Sequence, residues 1–127
     1  MQTVVVYRVQ DKDGRGPWRP GFSRRWVEDR DDLKNLPPWY VELGPIHRKA
    51  VVGCAVGSGC LTKEQLRRWF TESEYRTLVR YGYRAVRMEA GRILGQSGIQ
   101  CVFERTKPLS EDVIEIDLYD PWEMRKR

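Results

Sequence analysis

Thr62-Lys63-Glu64-Gln65-Leu66-Arg67-Arg68-Trp69-Phe70-Thr71-Glu72-Ser73-Glu74-Tyr75-Arg76-Thr77-Leu78-Val79-Arg80-Tyr81-Gly82 is the stretch that decides the fold. Thr62-x-x-Gln65 is a capping-box signature, in which a hydroxyl and a side-chain amide satisfy the first free N–H groups of a helix. Leu66, Trp69 and Phe70 follow at i, i+3 and i+4, the spacing of one helical face. Thr71-x-x-Glu74 repeats the signature, with Tyr75, Leu78 and Val79 behind it and Gly82 as a stop. The pattern predicts two consecutive helices over 62–70 and 71–81, packed on one side of a sheet.

Outward from this pair the periodicity changes from 3.6 to 2. Residues 3–9 (Thr-Val-Val-Val-Tyr-Arg-Val) predict a central strand, apolar on both faces, with Val5, Tyr7 and Val9 on one side and Val4, Val6 and Arg8 on the other. Residues 50–57 predict a short glycine-bounded strand, and 83–89, 99–105 and 113–119 predict three more. In the last of these Ile114, Ile116 and Leu118 face inward, and Glu115 and Asp117 face outward. Residues 11–47 are dense in turn dipeptides and show no sustained period, yet they hold Trp18, Phe22, Trp26, Trp39 and Tyr40. A loop of that length in a small domain either hides short elements or wraps a functional edge. The role of 27–47 is left open by the sequence. Helices grouped together between strands give an α+β fold with a small, largely antiparallel sheet, open to being split, and two consecutive helices packed on it. At 127 residues the expectation is one domain spanning the chain.

Composition narrows the function classes. Charged residues make up 32% and apolar ones 40%, but five Trp, six Tyr and three Phe supply surface for a core. No apolar run reaches membrane-spanning length, and the first residues do not read as a secretory signal, so the expectation is a cytoplasmic protein with no membrane partner. Three cysteines (Cys54, Cys60 and Cys101) with no C-x-x-C pair and one histidine argue against a disulfide framework and a structural metal site. The net charge of +5 is uneven: 20 of 23 Lys and Arg but only 12 of 18 Asp and Glu precede Ser110, and an acidic segment follows. Such a basic body suits a nucleotide, nucleic acid or acidic protein, and equally a solvated arginine-rich surface.

Motifs for phosphate loops, dinucleotide turns, nucleophile elbows and two-histidine zinc sites are absent. A Cys nucleophile served by His47 is disfavoured, because Cys54 and Cys101 alternate with apolar strand residues, where cysteine acts as a small hydrophobe. Arg67, Arg68, Arg76 and Arg80 read as the polar face of the two helices. The richest local chemistry is Gly14-Arg15-Gly16-Pro17-Trp18-Arg19-Pro20-Gly21-Phe22-Ser23-Arg24-Arg25-Trp26. Guanidinium groups interleaved with aromatic rings grip phosphate and stack bases. The same residues also fit a turn-rich loop whose Trp rings plug the core under Arg stems.

Two resemblances attach to these residues. Gly14 to Gly21, Thr62 to Phe70 and Gly82-Tyr83-Arg84-Ala85-Val86 together resemble uncharacterised proteins of bacteriophages and prophages, which implies a phage or bacterial cytosolic setting. The arrangement also resembles the ADP-ribosyltransferase fold, a split sheet that grips NAD in a cleft. Tyr7-Arg8 looks like that family's basic residue, Gly57-Ser58-Gly59 its middle motif, and Gln100 stands where it places an acid. The resemblance implies NAD or a related nucleotide as cofactor and no metal. It implies Arg8 and Gln100 as catalytic positions, with Arg15, Trp18, Arg19 and Ser58 binding the cofactor. The host-directed role it implies is modifying or occupying a host factor. A neutral Gln at position 100 supplies no negative charge for an oxocarbenium-like transition state. The alternative is a non-enzymatic accessory or anti-defence module that binds an acidic protein or nucleic acid through its basic surface. With no disulfide expected, dithiothreitol should leave the melting temperature unchanged in a thermal melt. A clear drop would overturn the cysteine reading.

Overall fold

The computed structural model describes residues 3–120, so the end of the acidic segment, 121–122, lies outside the described residues. Two three-stranded antiparallel sheets form the frame. β1 (Val4–Gln10), β3 (Arg84–Ala90) and β6 (Ile114–Glu115) make one, with β3 in the middle. β2 (Ala55–Gly59), β4 (Arg92–Gln96) and β5 (Cys101–Arg105) make the other, with β5 in the middle. Among the described residues one backbone bridge links them: Tyr7 N–H donates to Cys60 O and Cys60 N–H to Tyr7 O, each at 2.8 Å. The fold is therefore α+β with a split antiparallel sheet. The first strand is not central as expected: β1 is an edge strand of its own sheet, and its outer side meets the second sheet only at the isolated Tyr7–Cys60 bridge.

β1 feeds two cores. Val9, with Tyr7 packed beside it, joins Trp26, Leu66, Trp69, Phe70, Tyr75, Leu78 and Tyr83 on the helix side. Val6, fully buried, joins Met88, Cys101 and Phe103 in a second cluster. Val4 and Val5 at the strand's start are more than a third exposed, so the expected two-sided burial begins only at Val6.

The helices are α2 (Lys63–Trp69) and α3 (Glu72–Arg80). The reciprocal box forms at Thr71 and Glu74. At Thr62 it forms by half: Gln65 N–H donates to Thr62 Oγ1 at 3.1 Å, but the Gln65 side chain serves Leu61 N–H and Gly98 O instead. α3 ends as the glycine predicts. Gly82 sits at φ 90°, Gly82 N–H donates to Val79 O, and Tyr83 N–H reaches back to Leu78 O.

Three strand expectations need correction. The strand expected at 50–57 starts five residues later, because 51–54 turn at Gly53 (φ 91°) and leave Val52 fully exposed. The strand expected at 113–119 pairs only at Ile114–Glu115, and Ile114 is exposed, not inward. Ile116 N–H still donates to Ala85 O of β3 at 3.0 Å, and Ile116 and the fully buried Leu118 reach the helix-side core. β4 was not expected at all. Gly95 interrupts its apolar pattern, and the register slips there against β5.

The long segment holds short elements: 3-10 turns at Ser23–Arg25, Asp31–Asn35 and Ile46–Lys49, and one helical turn, α1 (Trp39–Glu42). It is clamped to α3 by Glu74, a fully buried carboxylate that accepts from Glu28 N–H at 2.9 Å and pairs with Arg30 at 3.1 Å. Arg30 also donates to the carbonyls of Arg68 and Trp69, so one guanidinium caps α2 and fixes the loop. No helix among the described residues is long and apolar enough to cross a membrane. Leu66 and Leu78 are 2% and 0% exposed. Replacing either with Ala should cost about 2–5 kcal/mol in urea unfolding; losses within error at both would sink the packing.

Candidate functional site

A cleft of about 780 Å³ opens where β1, β2 and the start of β5 meet the long segment. Arg8, Arg15, Trp18, Arg19, Ser58 and Gln100 all line it. They come from β1, the following loop, β2 and the turn before β5, so the split sheet is what brings them together.

Arg8 is 8% exposed. Its Nε donates to Gln10 Oε1 at 2.8 Å, Nη1 to Ser58 O at 2.8 Å and Nη2 to Gly14 O at 2.9 Å. Burial pulls its pKa down to about 10, with Asp11 opposing the shift, so it stays cationic at neutral pH. Among the described residues no carboxylate forms an ion pair with it. Arg19 is similar: Nη2 donates to Tyr83 Oη at 2.6 Å, the guanidinium lies 4.9 Å from the Phe22 ring centroid, and its buried Nε has no partner. Arg15 differs, being largely exposed and paired with Asp11 and Asp13 at 3.3 and 3.5 Å.

The turn after β1 is built to hold this arrangement. Asp11 Oδ1 accepts the N–H groups of Asp13 and Arg15, and Gly14 adopts φ 84° against Leu109 and Ser110, where a Cβ would lie 3.0 Å from Ser110 N. Trp18 is 45% exposed and stands edge-on to Trp26 and Trp69, at 4.6 and 6.3 Å between centroids. The loop's aromatic residues divide: Trp26 plugs the core and donates to Pro17 O, while Trp18 lines the cleft.

Gln100 is in place but committed. Its Nε2 donates to Pro37 O and Glu42 Oε1, both at 2.9 Å, leaving only its oxygen for a ligand. Pro38, Trp39 and Tyr40 form a wall that sequence reasoning did not assign to the site. Their aromatic pair after Pro37-Pro38 was the available signal, but nothing local places it opposite Arg8. Among the described residues lining the cleft there is no Asp or Glu. No group of three or more His, Cys, Asp or Glu among them is placed to hold a metal. Burial pushes the Cys60 and Cys101 thiols up to about 12, and burial with the Glu104 carboxylate raises Cys54, which makes each a poor nucleophile. His47 is occupied against Trp39, ring centroids 5.5 Å apart.

The fold and site together define a small α+β protein whose split sheet carries a cationic, aromatic-walled cleft. Over residues 1–117 the chain matches the family model described as Bacteriophage T4 Y00F protein, and it belongs to that bacteriophage family. The expected phage affiliation is thereby established. No curated protein and no solved structure matches the chain.

The junction under the cleft is tight. A Cβ on Gly59 would lie 2.6 Å from the Tyr7 carbonyl oxygen, whereas one on Gly98 would meet open space. Gly59→Ala should therefore lower stability by about 1–3 kcal/mol in urea unfolding, with Gly98→Ala within about 0.5 kcal/mol of wild type. Equal effects would refute the close approach.

Proposed function

We propose that this phage protein binds NAD or a related nucleotide in the cleft, as an ADP-ribosyltransferase-like protein that holds its ligand without transferring it. The observation that carries the reading is convergence. Arg8, Ser58 and Gln100, distant in sequence, line one concavity together with Arg15, Trp18 and Arg19. A flat basic face would have left them apart.

The chemistry supports a planar, anionic ligand. Among the described residues no carboxylate forms an ion pair with Arg8 or Arg19, and in a partly desolvated site their attraction for a pyrophosphate is stronger than in water. Trp18, with Trp39 and Tyr40 also lining the cleft, offers ring surface for a base or nicotinamide. The volume falls within the range of about 300–1,000 Å³ common to small-molecule sites. The missing carboxylate argues against transfer. An oxocarbenium-like centre needs a negative partner, and the position that would supply it is Gln100, whose amide hydrogens already serve Pro37 and Glu42. Occupying a host factor or its nucleotide is the role this leaves.

A ligand that binds only the folded state stabilises it by about 2.7 kcal/mol at a hundredfold excess over Kd. NAD and ADP-ribose at millimolar concentration should raise the melting temperature, with no nicotinamide released. Arg8→Ala should abolish the shift. Trp18→Ala, at an exposed ring, should weaken binding by about 1–3 kcal/mol without unfolding the chain. No shift with folded protein would transfer support to an accessory or anti-defence module that binds an acidic protein or nucleic acid through basic residues such as Arg24, Arg25 and Arg48.

A further inference from the structure

One wall of the cleft is attached differently from the rest. Residues 37–43 contribute Pro38, Trp39 and Tyr40 to the lining, yet α1 buries none of its residues, and Tyr40 and Val41 are 62% and 65% exposed. A single helical turn has no stability of its own in water. Its flanks, by contrast, are fixed. Leu36 is buried, and Ile46 fills the space above Gly95, where a Cβ would fall 2.5 Å from Ile46 Cδ1. Between α1 and Ile46 sits Gly44, at φ 70° with nothing within 4 Å of a would-be Cβ, a position free to absorb rotation.

What docks this wall on the β4–β5 turn is a small polar set. Glu42 Oε1 accepts from Ser97 Oγ at 2.7 Å and from Gln100 Nε2 at 2.9 Å, and the same Nε2 donates to Pro37 O. Both partners of the amide are acceptors, so its orientation is fixed. Glu42 itself is exposed, so water competes for its bonds and opening needs no dry core to be broken.

We propose that residues 37–43 form a flap that gates the cleft, latched through Glu42, with Gln100 as the positioning residue that holds the latch. Rotation at Gly44 and at the Leu36 side swings Trp39 and Tyr40 away from Arg8 and admits the ligand. That the ligand is a nucleotide rests on the reading above; the gate does not, and its test contains no nucleotide.

Two readouts on the free, full-length protein test it. The first is hydrogen exchange of the Val41, Glu42 and Leu43 amides, which donate to Pro38 O, Pro38 O and Trp39 O. The second is the rate at which iodoacetamide alkylates Cys60, a cleft-lining residue only 2% exposed, mapped by mass spectrometry. Glu42→Ala, at a surface position that should not impair folding, is expected to speed both at least tenfold while exchange in β3 and α3 stays unchanged. Gln100→Leu should do the same, and Glu42→Gln, which keeps an acceptor oxygen, should recover most of the wild-type rates. Unchanged flap exchange in Glu42→Ala would overturn the latch, as would a uniform rise across both sheets. Faster flap exchange without faster Cys60 alkylation would overturn the gate.

Discussion

A full positive charge sits beneath the cleft at Arg8, nearly out of reach of water and without an ion-paired carboxylate among the described residues. An isolated buried cation is unfavourable unless its donors are met. Here Gln10, the Ser58 carbonyl and the Gly14 carbonyl meet three of them. Those acceptors belong to β1, β2 and the turn that follows β1, so solvating the charge forces these elements together. The Tyr7–Cys60 bridge lies one residue away, and Gly59 gives the backbone room to make it. The split between the sheets and the position of the Arg15–Arg19 loop both follow from this junction.

A second buried charge organises the opposite side. Glu74 caps α3, accepts the Glu28 amide and pairs with Arg30. The long segment is thus shaped by two helices it does not belong to. Removing one partner of such a pair is far more damaging than its net contribution suggests, because the other charge is left buried alone. Between these two fixed points the chain presents Trp18 and the α1 wall to the same cavity.

What was readable in advance follows the range of the forces involved. α2 and α3 were legible because caps and stripes are local, and their boundaries moved by only a residue or so. β4 escaped because Gly95 breaks its pattern, for a reason visible only in three dimensions: Ile46 occupies the missing side chain's place. The alternation of 113–119 was real as burial at Leu118 but not as pairing, since β6 pairs with β3 over two residues only. At the site, Arg8 stood out as a charge in an apolar strand. The bond from Gln100 to Glu42 spans 58 positions, and no pattern in the chain announces it.

The grouping of indoles has an optical consequence. Trp18 and Trp69 line the cleft, and Trp26 lies 4.6 Å from Trp18 between ring centroids, with Trp69 at 6.3 Å. Rings at such separations are close enough for excitation to pass between them, so the three form one optical group. Trp39 faces the same space from the other wall. The chain thus carries its own chromophore around the cavity, placed where a change at the cavity wall alters the surroundings of its indoles.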